Sequence, residues 1–324
     1  MKLIIQIPCY NEEQTLPVTL QELPTHIEGI DEIEVLIVDD GSIDHTLEAA
    51  QKHGVHHIVR LTSNQGLARA FAAGLDTSLK LGADIIVNTD ADNQYCGGDI
   101  PSLVQPILER KADIVVGDRQ TDSIEHFSYL KRKLQKVGTR VIRKISQTEV
   151  RDATSGFRAY SRDAALKIHV FSDFTYTLDT IIQAGKKNLI ISSVPIRTNE
   201  PLRESRLFNS IWTYLRKAVV IIIRIFSIYR PFRAFSLIGA LFLIASITLG
   251  LRYVYHIFIQ HEAQRTYLQS VVLSGALLVV GVLIIVIGFI AYLISVNREI
   301  SEDILTRVKR LEIETLHDKK ELVD

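Results

Sequence analysis

The chain has 324 residues, and its 37 basic and 37 acidic side chains cancel, so no global basic excess argues for a nucleic-acid partner. This length suggests about two structural units. Cys9 and Cys96 are the only cysteines, which make neither a disulfide framework nor a structural zinc set and fit a reduced, cytosolic setting in which both thiols serve packing.

The N-terminus reaches Pro8 after a single short apolar stretch, too short for a signal peptide and suited to a first β-strand. Over the next two hundred residues short apolar runs alternate with longer mixed segments, the βα pattern of a mostly parallel sheet. Strands are expected at 3–7, 34–38, 57–61, 85–88, 114–117, 156–160 and 190–195, and helices at 13–23, 45–53, 67–81 and 101–109. Asp44 can cap the second of these helices. In the third, Ala68, Phe71, Ala72, Leu75 and Leu79 make one stripe for the sheet.

The pattern changes at Leu207. Segment 207–231 mixes aromatic and aliphatic residues with Arg216, Lys217 and Arg224, as a helix in the lipid headgroup layer does; an ordinary packing helix is the alternative. Residues 234–251 and 268–296 carry no charge, and about 20 residues cross a bilayer. The first run reaches about residue 258 only if Arg252 snorkels to the interface. Basic residues outnumber acids between Arg197 and Arg233, which places that side in the cytoplasm. Two spans, about 234–258 and 268–296, then return the tail to the same side, so the soluble domain and both termini are expected to be cytoplasmic. In the tail, Ile300, Ile304, Val308 and Leu311 form a stripe suited to docking on the soluble domain or on another subunit. The expected divisions are 1–206, 207–231, 232–297 and 298–324.

Four polar clusters fall near strand ends: Pro8-Cys9-Tyr10-Asn11-Glu12-Glu13, Asp39-Asp40-Gly41-Ser42, Asp90-Ala91-Asp92-Asn93-Gln94, and Asp152-Ala153-Thr154-Ser155-Gly156-Phe157-Arg158. Each alone is more often turn and cap chemistry than a site. Ligands of open α/β sheets lie at the carboxyl ends of the strands, where these clusters would gather. Asp39 and Asp40 suit ribose hydroxyls or a base N–H. Asp90, Asp92 and Gln94 offer hard oxygen ligands for magnesium or manganese, with phosphate or water completing the shell. Together they suit transfer from an activated diphosphate. No Gly-x-Gly-x-x-Gly run follows the first strand and no Walker loop is present, which disfavours nicotinamide dehydrogenases and P-loop ATPases.

These clusters, with Asn64-Gln65-Gly66 and Gly117-Asp118-Arg119, resemble the family 2 glycosyltransferases of the dolichyl-phosphate mannose synthase and bacterial polyprenyl-phosphate glycosyltransferase branch over residues 1 to about 207. The trailing basic helix and paired spans are similar to that branch's membrane anchor. The resemblance implies an α/β fold of GT-A type that takes a nucleotide-sugar donor (UDP- or GDP-linked) with Mg²⁺ or Mn²⁺. It implies that Pro8, Tyr10, Glu12 and Asp39 line the nucleoside site, with Asp40 close by. Asp90 would approach the sugar or its diphosphate, while Asp92 and Gln94 join in holding the metal. Arg119 would meet the acceptor phosphate, and Arg206, after Ser205, would contact phosphate near the membrane. A polyprenyl phosphate acceptor, membrane lipids and a homotetramer are further implications. Asp179 departs from the pattern, since many relatives carry Glu there.

The reaction implied is single displacement with inversion. A phosphate acceptor needs little general-base help, and Asp152 is either that base, an acceptor-orienting residue or a loop anchor. The alternatives are a lipid hydroxyl or lipid-linked oligosaccharide acceptor, and a noncatalytic membrane scaffold.

Overall fold

The computed structural model describes residues 1–120, 139–140, 142–143, 146–170, 176–200, 231–258 and 268–321, with side chains of the last helix described to residue 315. Arg206, the expected interfacial helix up to residue 230 and the turn between the spans lie outside these residues. The chain clusters into two compact units, Met1–Leu207 with Leu305–Asp324, and Phe208–Ile304.

The first unit is built on β1 (Lys2–Cys9), α1 (Leu16–Gln21), β2 (Glu32–Asp39), α2 (Thr46–Lys52), β3 (His57–Arg60), α3 (Leu67–Lys80), β4 (Ile85–Asn88), α4 (Ile100–Leu108), β5 (Ile114–Asp118), β6 (Arg158–Ser161), α5 (Arg162–Lys167), α6 (Tyr176–Lys186) and β7 (Ile191–Pro195). The strands form one sheet in the order β3-β2-β1-β4-β6-β5-β7. Pairing is parallel except at β6, which runs antiparallel to both β4 and β5. The central strands are apolar on both faces, as a sheet covered by helices on each side requires; β1 is buried from Leu3 to Cys9.

Two consequences position the site. The chain passes from β3 at one edge back to β4 beside β1, which opens a crevice at the carboxyl ends of β1 and β4. Because β6 is reversed, its N-terminal end, and with it Ser155-Gly156-Phe157, reaches that same edge. Each strand lies within two residues of its expected position. The first helix is shorter than expected, Leu16–Gln21 rather than 13–23, because Pro17 belongs in a first turn and so marks the start. Helices α5 and α6 were not expected. The Ser161 hydroxyl caps α5 by accepting from the Ala164 N–H at 3.2 Å, a signal present in the sequence. On α3, Ala68, Phe71, Leu75 and Leu79 are buried as the stripe required, joined by Ala70, Gly74 and Ser78, whereas Ala72 is only part-buried.

The second unit contains α7 (Pro231–Phe258) and most of α8 (Leu268–Glu321), whose apolar stretch and charged tail form one unbroken helix. Both helices are long and apolar enough to cross a membrane, and only 11% of each apolar window is buried. They pack antiparallel through small residues. Gly239 meets Gly281 so closely that an added Cβ would lie 2.9 Å from the Gly281 carbonyl oxygen and 2.6 Å from Ile285. Ser246 and Ser274 each donate to the other's carbonyl at 2.8 Å. Small residues at heptad spacing on α8 (Ser274, Gly281, Gly288) let the two helices approach closely.

The end of α8 belongs to the sheet unit. Lys309 pairs with Asp76 and Glu312 with Lys80, each at 3.0 Å, and the Thr306 hydroxyl bonds to His169 Nε2 at 2.9 Å. Ile313 is buried there. The tail therefore docks through a polar face and Ile313, while Ile300, Ile304, Val308 and Leu311 are all more than half exposed.

Candidate active site

The first two clusters interlock. Asn11 has a left-handed backbone (φ 55°); its N–H donates to Ser42 Oγ and its Oδ1 accepts from the Ile43 N–H. The Glu12 N–H donates to Thr46 Oγ1 and its carboxylate accepts from Thr15 Oγ1 at 2.7 Å. Pro8 is buried and Tyr10 is 36% exposed, at the open end of β1. The N-cap of α2 is His45 rather than Asp44; the Asp44 carboxylate, one residue earlier, accepts from the Thr46 N–H and hydroxyl at the start of that helix.

Asp39 and Asp40 are both buried but differ in function. Asp40 accepts from the backbone N–H groups of Gln65 and Gly66 at 2.7 and 2.8 Å, holding the Asn64-Gln65-Gly66 turn that opens α3. Asp39 Oδ1 accepts from the Ser42 N–H at 3.0 Å, while Oδ2 has no hydrogen bond and lies 3.4 Å from Arg60 Nε. Gly41 is required directly after them: at φ 71° an added Cβ would lie 2.6 Å from the Ser63 backbone. The Cys9 thiol beneath donates to the Ile7 carbonyl, and burial pushes its pKa well up, which leaves it a packing group.

Asp90 and Asp92 follow β4. Asp90 is only part-buried at its surface, yet protein surrounds it closely enough that burial, then the Asp92 charge, push its pKa up to about 7. Arg119 and Arg158 pull the other way, and Glu12 adds repulsion. Asp90, Asp92, Glu12 and Arg119 are thus brought within electrostatic reach of one another. Asp92 Oδ1 accepts from the Gln94 N–H at 3.1 Å. Both oxygens of Asp90 lie 3.2 Å from where a Cβ on Gly156 would sit, and the Tyr176 hydroxyl is 2.8 Å from that point. The absent side chain is what lets Asp90 lie there. Gly156→Ala is therefore expected to displace the carboxylate and lower turnover roughly tenfold or more, with far-UV circular dichroism unchanged; activity within twofold of wild type would remove Gly156 from the account.

Behind Asp90 a buried amide network fixes the floor. Gln6 Nε2 donates to Asn88 Oδ1, and Asn88 Nδ2 donates to the Gly156 carbonyl and to the Tyr176 hydroxyl. Tyr176 stacks on Phe71 of α3 with ring centroids 4.0 Å apart. Tyr95 stacks on Phe157 and accepts the Gly156 N–H at 3.0 Å. Arg158, fully buried, donates to the carbonyls of Ala153, Ser155 and Thr177 and to the Thr180 hydroxyl, so it braces the loop rather than facing a ligand.

Asp152 and Arg119 form a forked ion pair: Nε to Oδ2 at 2.7 Å and Nη2 to Oδ1 at 3.1 Å. Thr154 takes part, accepting from Arg119 Nη2 and donating to Asp152 Oδ1. Burial raises the Asp152 pKa, but the Arg119 guanidinium and Thr154 outweigh it and hold the carboxyl below its ordinary value. The fork holds the Arg119 guanidinium in a fixed plane through Nε and Nη2.

Among the described residues no three His, Cys, Asp or Glu side chains gather as a complete metal cage. Two carboxylates and an amide on one loop, with Asp90 raised first by burial and then by repulsion from Asp92 that a cation would relieve, fit an ion that takes its remaining ligands from diphosphate and water. Sequence reasoning missed Tyr95, Tyr176 and Asn88. Tyr95 directly follows Gln94, but nothing local marked Tyr176, whose position depends on the sheet.

The mixed, mostly parallel sheet with flanking helices is GT-A-like, and an acidic crevice lies at its carboxyl edge. The model of Glycosyl transferase family 2 matches residues 4–168, just over half of the chain, and the chain belongs to that family of transferases. It is 34% identical over 202 residues to an uncharacterized protein of Methanocaldococcus jannaschii, covering 61% of this chain and 81% of that one. The undecaprenyl-phosphate mannosyltransferase of Micrococcus luteus is 28% identical over 222 residues (65% and 89% covered). The UDP-N-acetylglucosamine–dolichyl-phosphate N-acetylglucosaminyltransferase of Methanococcus voltae is 31% identical over 216 residues (59% and 83% covered). Among solved structures, glucosyl-3-phosphoglycerate synthase of Mycobacterium tuberculosis, in complex with Mn²⁺, UDP and phosphoglyceric acid, shares the fold with a TM-score of 0.53 at 18% identity, covering 70% of this chain and 77% of that one.

Proposed function

We propose that this chain is a membrane-anchored, inverting glycosyltransferase that moves a sugar from a UDP- or GDP-sugar to a polyprenyl phosphate of dolichyl or undecaprenyl type at the cytoplasmic face. The observation that carries the reading is the forked Arg119–Asp152 pair beside Asp90, in a chain with two exposed apolar helices. Two relatives named for lipid-phosphate acceptors and for different sugars support the acceptor class more than any one donor.

Asp90, Asp92 and Gln94 would hold Mg²⁺ or Mn²⁺, which supplies charge neutralisation on the leaving diphosphate. Pro8, Tyr10, Glu12 and Asp39 would line the nucleoside, with Asp40 fixing the adjacent turn. An acceptor phosphate oxygen attacks the anomeric carbon while the bond from that carbon to the diphosphate breaks. Phosphate monoesters have a second pKa of about 6, so the nucleophile carries no proton that a base must remove. Asp152, held as a low-pKa carboxylate by Arg119, is a poor base and a good orienting group, which disfavours a hydroxyl acceptor. Arg119 would bind the acceptor phosphate through its guanidinium, with Arg206 as a second contact. The many exposed apolar side chains of α7 and α8 support two spans, and the basic excess between Arg197 and Arg233 supports a cytoplasmic catalytic unit and cytoplasmic termini. Self-association as a tetramer belongs to the same reading.

The test is nucleoside diphosphate release by the full-length protein in detergent. Release is expected only with nucleotide sugar, polyprenyl phosphate and divalent metal together. Release that ignores lipid phosphate, or none across a UDP- and GDP-sugar panel with folded protein, overturns the reading.

A further inference from the structure

Beyond β7 the chain turns back across the loop that carries Asp92 and Gln94. The Asn199 N–H donates to the Gln94 carbonyl at 3.0 Å, Thr198 forms an antiparallel bridge with Tyr95, and Arg197 forks onto Asp99. At the centre is Glu22, just past α1. Its Oε1 accepts from Asn93 Nδ2 at 3.1 Å and its Oε2 from Asn199 Nδ2 at 3.0 Å. Asn199 Nδ2 also donates to the Asn93 carbonyl at 3.1 Å. Gly97 permits this approach, since a Cβ there would stand 2.5 Å from the Glu22 carbonyl oxygen.

Asn93, the residue gripped from both sides, lies between Asp92 and Gln94 and has a left-handed backbone (φ 57°). Asparagine visits that conformation more readily than other residues with a side chain, and the contacts to the Asn93 side chain and carbonyl hold it there. Its angle sets how Asp92 and Gln94 are presented. Two residues from separate parts of the chain, Glu22 and Asn199, thus converge on the left-handed position between two candidate metal ligands.

We infer that Glu22, Asn93 and Asn199 form a positioning clasp that sets the spacing of Asp92 and Gln94 and so the affinity of the site for a divalent cation with a nucleoside diphosphate. The inference rests on the metal-dependent reading above. None of the three touches substrate; they act through the loop. Groups that orient metal ligands typically change metal affinity by about 10–100-fold when altered.

The clasp has a polarity that can be reversed. Asn199→Asp replaces a donor with a carboxylate facing the Glu22 carboxylate and the Asn93 carbonyl. Adding Glu22→Gln restores a donor toward position 199 while its amide oxygen still accepts from Asn93. Mn²⁺ uptake by the full-length protein in detergent, read from loss of the electron paramagnetic signal of free aqueous Mn²⁺, is measured with UDP and separately with GDP. Asn199→Asp is expected to weaken uptake about tenfold or more, Asn199→Ala less, and the double variant to return within about threefold of wild type. Wild-type uptake by folded Asn199→Asp, or a double variant no better than Asn199→Asp, overturns the clasp. If Asn199→Asp does not fold, wild-type uptake by Asn199→Ala does the same. No uptake by wild type with either nucleotide overturns the metal-dependent reading and the clasp with it.

Discussion

Asp90→Asn is expected to lower turnover about a thousandfold while making the metal-free protein more heat-stable at alkaline pH. The activity loss follows from removing the carboxylate proposed above to hold charge-neutralising metal at the leaving diphosphate. The stability gain follows from linkage. Asp90 has its folded pKa raised from 3.8 to about 7, whereas the unfolded chain releases that proton near pH 3.9. Between those values the native state binds more protons than the unfolded state, so native stability falls as pH rises from about 4 to about 7 and stays lower above. An asparagine carries no such penalty. Thermal unfolding at pH 5 and pH 8 checks this: the variant should gain on wild type at pH 8 by a few degrees, on the scale of about 2–4 °C per kcal/mol. Added Mn²⁺ with nucleotide should raise the wild-type midpoint at pH 8 and leave the variant's unchanged. A variant that keeps turnover within tenfold of wild type would remove Asp90 from the chemistry.

The second large effect concerns Arg119 and Asp152. Arg119→Ala is expected to cut kcat/KM for polyprenyl phosphate about 100-fold or more with donor binding little changed, because it removes a charge-assisted, preoriented donor. Asp152→Asn keeps the shape and one acceptor but releases the fork, so it should cost about 10–100-fold, chiefly in acceptor KM. A general base would behave differently: its loss would fall on kcat at unchanged acceptor KM. The lowered Asp152 pKa also has a stability consequence. That carboxylate stabilises the native state above its unfolded value of about 3.9, and the contribution is lost as pH falls through the lower folded value.

What was legible in the sequence was what is contiguous. The strands, the strand-end clusters and the order in which a βα sheet delivers them could all be read because each depends on short-range pattern and turn chemistry. The Asp92-to-Gln94 hydrogen bond and the Asp44 contacts at the start of α2 are local in the same way. What was not legible depends on strand order. Arg119 and Asp152 meet because β5 and β6 are neighbours, so two clusters that looked separate make one ion pair. Tyr176 reaches Asn88 across 88 residues, and Asn199 reaches Glu22 across 177. Asp39 and Asp40, alike as a pair in sequence, diverge once folded: Asp40 is committed to two backbone N–H groups and Asp39 keeps an oxygen without a hydrogen bond. At the C-terminus the apolar stripe suggested one docking face, and charge pairs with Asp76 and Lys80 selected another. Apolar periodicity reports the face that leaves water in an isolated helix; it does not report which partner charges the fold places opposite.

The central claim is tested most directly by identifying the product. Full-length protein is incubated with polyprenyl phosphate, Mn²⁺ and a panel of UDP- and GDP-sugars, and the lipid fraction is analysed by mass spectrometry with the anomeric configuration assigned by nuclear magnetic resonance. The account expects a polyprenyl phosphate bearing one added sugar, linked through phosphate with the anomer inverted relative to the donor, and no such product from Asp90→Asn. A sugar carried on a lipid hydroxyl, a retained anomer, or no lipid product from folded wild-type protein across the panel would contradict it.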